Sequence, residues 1–165
     1  MKNVLERTLI VAAFLVLMAG VALPAEYTLG PLEIRTPWTR ETPKGATIGG
    51  GYVEIKNNGA VADRLMSGSV TVAKLFQIHQ TTIDNGVAKM RQVTTGVEIA
   101  PGQTLKFEPG SSHLMFVNLT GPLHAGEKVH GTLQFEHAGT IDIDYAVLGM
   151  GAKAPGQSRD PRNDR

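Results

Sequence analysis

From residue 26 onward the chain runs in short apolar stretches separated by clusters of Gly, Pro, Asn and Asp. YTLGPLEIRTPWTR (27–40) alternates around Leu32 and Ile34 until Pro37 interrupts it. GGGYVEIKNNG (49–59) places Tyr52, Val53 and Ile55 before the turn cluster Asn57-Asn58-Gly59. DRLMSGSV (63–70), AKLFQIHQTT (73–82) and VAKMRQV (87–93) follow, the last two separated by Asp84-Asn85-Gly86. GVEIAPGQTLKFEPG (96–110) holds two short alternating runs around Pro101-Gly102. HLMFVNL (113–119) is continuously apolar, and residues 126–148 hold two further strands joined at Ala138-Gly139. No helical period is sustained anywhere in this region. Alternation with period two, punctuated by turn residues, predicts an all-β domain, an antiparallel sandwich or barrel of seven to nine strands.

The ends of the chain read differently. Lys2 and Arg7 precede the apolar run TLIVAAFLVLMAGVALPA (8–25), which closes on Gly20, Ala22 and Ala25. This is the pattern of a secretory signal helix over 1–25, cut after Ala22 or Ala25, or retained as a membrane anchor. Either way the domain over 26–149 is expected outside the cytoplasmic membrane, in a periplasmic setting, as a monomer. The tail over 150–165, rich in Gly, Pro and charge, reads as disordered.

Composition narrows the functions. Sixteen Lys and Arg against fifteen Asp and Glu give a net charge of +1. With few aromatics and no basic stripe, a nucleic-acid reader is not expected. Cysteine is absent from the 165 residues. That removes disulfides, thiolate metal sites, cysteine nucleophiles and a blue-copper centre, which needs a thiolate. Neither G-x-S-x-G nor H-E-x-x-H occurs, and no carboxylate pair shares a context, so an enzyme is not expected.

The remaining chemistry lies in two places. In the hairpin around Asn85-Gly86, a two-residue turn pairs Asp84 with Val87 and sets Thr81 opposite Met90. His79 is then a diagonal neighbour of Met90 on one face. A four-residue loop, Ile83 to Gly86, sets His79 directly opposite Met90; both even lengths give the same face. Elsewhere, His113 and Met115 share a face by period two. Taken singly, Met90 and Met115 read as core and His113 as a hydrogen-bonded edge residue, while His79 alone says little. Should the two elements adjoin, two imidazoles and two thioethers converge. Thioethers are soft donors that select Cu(I), with imidazole a compatible partner. His124, His130 and His137, beside charged residues in or near turns, read as solvated. Met66 reads as core, and Trp38 as packed at a strand edge.

His79, ten intervening residues, Met90, a gap of 22, then His113-x-Met115 resembles the signature of periplasmic copper chaperones of the PCu(A)C type. The likeness spans about Tyr27 to Leu148. It includes PWTR (37–40), TPKGA (42–46), GYVEIKNNG (51–59), ADRL (62–65), EIAPGQTLKFEPGSSHLM (98–115) and PLHAGEKV (122–129). The gap before His113 is one residue longer than in the family pattern, a difference that the loops TTG (94–96) or PGSS (109–112) can absorb. The resemblance implies a cupredoxin-like Greek-key β-sandwich or barrel with Cu(I) held by His79, Met90, His113 and Met115. It further implies delivery of copper towards the CuA site in subunit II of cytochrome c oxidase, alongside Sco-type proteins. With Met150 but no histidine in the tail, no second metal site is expected. Copper scavenging or tolerance, and a metal-free interaction module of the envelope, are the alternatives.

Overall fold

The computed structural model describes residues 25–155. The expected signal helix, but for Ala25, and the end of the tail lie outside them. Among the described residues there is no helix, and so none that is long and apolar enough to cross a membrane. Eleven strands follow one another: β1 (Glu26–Leu29), β2 (Leu32–Arg40), β3 (Ile48–Asn57), β4 (Asp63–Val70), β5 (Ala73–Asp84), β6 (Val87–Val93), β7 (Val97–Ile99), β8 (Thr104–Phe107), β9 (His113–Leu119), β10 (Lys128–Phe135) and β11 (Thr140–Leu148).

They form one curved sheet in the order β6-β5-β9-β3-β2-β11-β10-β4-β7, with β1 on β2 and β8 on β3. Neighbours in space are often distant in sequence, as in a Greek key. β11 and β2 run parallel, while the other pairs are antiparallel. β3 serves two partners in succession along one edge. Its first half, Ile48–Gly51, pairs with β9, and its second half, Val53–Lys56, pairs with β8. β4 also lies against β5, which draws the curved sheet towards closure.

The inward face is apolar. Ile78, Leu114 and Phe116 from β5 and β9 meet Leu133, Ile143 and Tyr145 from β10 and β11 in a single buried cluster. Phe116 and Tyr145 pack edge to face, with ring centroids 5.3 Å apart, an arrangement the ring quadrupoles favour. Asp63, buried at the start of β4, accepts hydrogen bonds from the backbone N–H groups of Arg64, His137 and Ala138 and so ties β4 to the β10–β11 turn. Burial by itself would push its carboxyl up; those N–H donors and the His137 side chain together hold it below its usual value.

Two details depart from the sequence reading. Pro37 does not end its strand. β2 runs through it by means of a bulge between Arg35 and Trp38, with Thr36 at φ 47°. The strand count exceeds the expectation in part because Gly30, at φ 56°, folds β1 back onto β2 within the single stretch 27–40.

The β5–β6 hairpin extends beyond the body of the sheet. β5 pairs with β9 only as far as His79. Among the described residues, the two arms of the hairpin pair only with each other from Gln80 to Arg91.

Candidate metal centre

β5 is anchored from within by Ile78, which is buried. Alternation therefore turns Gln77, His79 and Thr81 outward. β9 is anchored by Leu114 and Phe116, which turns His113 and Met115 outward. The register joins the two strands, with His79 opposite His113 and Gln77 opposite Met115. These four side chains form the corners of a rectangle, with Cβ atoms of opposed residues about 4.5–5.5 Å apart. The imidazoles stack with centroids 5.7 Å apart and planes inclined by 30°.

Met90 comes from the next strand. The turn is the two-residue one: Asp84 pairs with Val87, and Asn85 and Gly86 both have positive φ, at 50° and 80°. A type I′ turn needs this at both positions, which is why Asn-Gly serves. Met90 consequently faces Thr81, and His79 faces Gln92. That makes Met90 the diagonal neighbour of His79, at about 7–8 Å across the face. The structure thus brings His79, His113 and Met115 onto two adjoining strands and sets Met90 on the third, all facing outward. Met90 is 54% exposed and the other three are half-buried.

Local contacts settle what each ring offers. Nδ1 of His113 lies 3.0 Å from the Ser111 carbonyl. A carbonyl only accepts, so in the neutral ring Nδ1 carries the proton and Nε2 keeps its lone pair. Nε2 of His79 lies 3.0 Å from Oε1 of Gln77. Burial first, and the neighbouring His113 second, hold the His79 imidazole below its ordinary 6.5, so it is neutral at pH 7.

Three further residues shape the site without having been singled out in the sequence. Gln77 completes the rectangle; its parity with His79 was the available signal. Thr81 is held by Ser112, whose Oγ accepts the Thr81 N–H at 3.3 Å, while Thr81 Oγ1 is buried without a partner among the described residues. Gly50 lies opposite Met115, and the Tyr52 hydroxyl occupies the space above it, 2.8 Å from where a Cβ would stand. Tyr52 is held by Trp38, with centroids 4.4 Å apart, and the Arg40 guanidinium lies over both rings. Trp38 is therefore buried within the wall of this face, and Arg40 Nε donates to the Ala152 carbonyl of the following segment.

The other histidines lie elsewhere and are exposed. His130 is on β10, between Asp144 and Asp142 at 3.1 and 3.4 Å, and His137 is 3.4 Å from Asp63. Met66 is 37% exposed, not core. It occupies an outward position on β4, where alternation with the buried Leu65 places it. Among the described residues no three of His, Cys, Asp and Glu gather as metal ligands. The candidate set is thus imidazole with thioether, a soft combination.

Residues 32–147 match the family described as "LpqE-like: Putative lipoprotein LpqE-like". A relative from Leifsonia xyli subsp. xyli (strain CTCB07), "Putative lipoprotein Lxx21020", is 33% identical over 150 residues, spanning 87% of this chain and 89% of that protein. The solved structure "Copper-bound PCuAC domain from PmoF2" superposes with a TM-score of 0.65 at 26% identity, covering 76% of this chain and 98% of the other. "Apo PCuAC domain from PmoF1" gives 0.65 at 27% identity, covering 76% and 99%. The all-β, cupredoxin-like architecture expected from the sequence is the one observed. The chain belongs to the LpqE-like family, and its β domain is of the PCuAC copper-chaperone type.

Proposed function

We propose that this domain binds Cu(I) through His79, Met90, His113 and Met115 and passes it to a partner protein, without turning over a substrate. One observation carries the reading: the register that sets His79 against His113 also puts Met115 and Met90 on the same outward face. Two imidazoles and two thioethers are neutral donors, so the loaded site bears only the charge of the monovalent ion, which a half-buried surface tolerates. Each thioether is a weak ligand that a partner's thiolates can displace in turn, and a site on an open face admits such a partner. The destination we propose is the CuA site of cytochrome c oxidase, with subunit II and Sco-type proteins as partners.

We place the protein in the periplasm or an equivalent space beyond the cytoplasmic membrane. The apolar run over 8–25 supports export, as do the lipoprotein descriptions of the family and of the Leifsonia relative. These 165 residues contain no cysteine to take a thioether-linked lipid.

The test is an anaerobic competition titration of the wild type against Met90→Ala and His113→Ala. Weaker Cu(I) binding is expected in both, and unchanged affinity in both would overturn the assignment. X-ray absorption on the loaded protein should count two sulfur and two nitrogen neighbours. Mixing loaded protein with a copper-free CuA domain tests the destination: no transfer removes the recipient while leaving the binding site standing.

A further inference from the structure

Gln77 stands at the fourth corner of the rectangle that His79, His113 and Met115 define, directly opposite Met115 and two residues from His79 on the same face. Its amide oxygen is a hard donor, a poor match for the soft ion proposed above. What it does contact is a ring nitrogen, His79 Nε2, at 3.0 Å. As an acceptor, Oε1 requires the proton on Nε2, which leaves the lone pair on Nδ1. His113 is held in the opposite sense by a main-chain carbonyl at Nδ1. The two stacked rings are therefore fixed by different partners at different nitrogens.

We infer that Gln77 is a positioning residue: it locks His79 in the Nε2–H tautomer, so that His79 presents Nδ1 to the ion while His113 presents Nε2. The consequence for copper rests on the proposed function, whereas the tautomer itself is a property of the empty protein. A partner that fixes the tautomer and plane of a metal-binding imidazole generally matters about 10–100-fold in affinity.

The experiment labels the histidines with nitrogen-15 and reads each tautomer from long-range proton–nitrogen correlations in the copper-free full chain, in mildly alkaline buffer. The wild type should show His79 protonated at Nε2 and His113 at Nδ1. Gln77→Leu should leave His79 a mixture of tautomers and weaken Cu(I) binding by about 10–100-fold. Gln77→Glu, which keeps an acceptor, should restore the tautomer. The His113 signal, tied to the backbone, reports that the face is intact; should Leu disturb it, Gln77→Ser takes its place. A wild-type His79 protonated at Nδ1 overturns the inference. So does a Gln77→Leu variant whose tautomer or Cu(I) affinity is unchanged. A wild type that takes up no Cu(I) overturns the proposed function instead, and the tautomer then decides the role of Gln77 alone.

Discussion

His79 keeps its lone pair free of protons into mildly acid solution. Its ring is held below 6.5 by burial and by the nearby His113. A proton and a metal compete for the same lone pair. Protonation of His79 should therefore not weaken Cu(I) binding above about pH 6.5, and the His79 contribution to affinity should be lost once the pH drops below the depressed value. Stability follows with the same sign. The unfolded ring takes up a proton near 6.5 where the folded one does not, so this contribution is complete above 6.5 and declines as the pH falls through that region. Affinity measured across this range checks the first, and a His79 contribution already falling above neutrality would contradict it. A second prediction concerns the core. The Tyr145 hydroxyl is fully buried with no hydrogen-bond partner among the described residues, and burial pushes its ionisation far up. Tyr145→Phe keeps the ring against Phe116 and removes the orphan, so unfolding in urea should show no loss and a gain of up to about 1 kcal/mol. At this scale the four candidate ligands were readable because imidazole and thioether are chemically distinctive and parity is strict. Gln77 and Thr81 share that parity, but glutamine and threonine are common on outward faces; only their contacts single them out.

The Asn85-Gly86 turn determines which residues face one another across the β5–β6 hairpin. Replacing Gly86 with Val places a β-branched residue at φ 80°, a strain of about 1–3 kcal/mol. Hydrogen exchange along β5 and β6 should quicken, and Cu(I) affinity should drop through the loosened register of Met90. Unchanged exchange would mean that the turn does not hold the arm. The sequence reading placed His79 and Met90 on a shared face whether the loop held two residues or four, because an even change preserves parity. The opposition of His79 to His113 was not readable. It depends on β9 returning beside β5 after three intervening strands, a long-range pairing that local patterning does not encode. Pro37 misled for a related reason. A proline lacks a donor and normally marks a strand's end, yet the bulge at Thr36 lets β2 pass through it and carry Trp38 onto the site's wall.

For the molecule as a whole, the core lies on one face of the sheet and the candidate ligands on the other. Folding should therefore not need copper. The copper-free protein is expected to unfold cooperatively, and Cu(I) should raise its Tm by mass action, about 2.7 kcal/mol at a hundredfold excess over Kd. Met90→Ala should leave the metal-free Tm in place and shrink that rise; anaerobic calorimetry reads both. A Met90→Ala protein that already melts early without copper would show that fold and site are not separable. The hairpin overhang has one more consequence. Three of the four candidate donors ride on strands knitted into the body of the sheet, while the fourth sits on an outrigger whose two strands, among the described residues, pair with each other alone. Such a segment opens at lower free energy than the strands behind it. A recipient approaching from solvent would then meet a built-in order of departure, with the methionine sulfur of the overhang letting go first and the paired rings last.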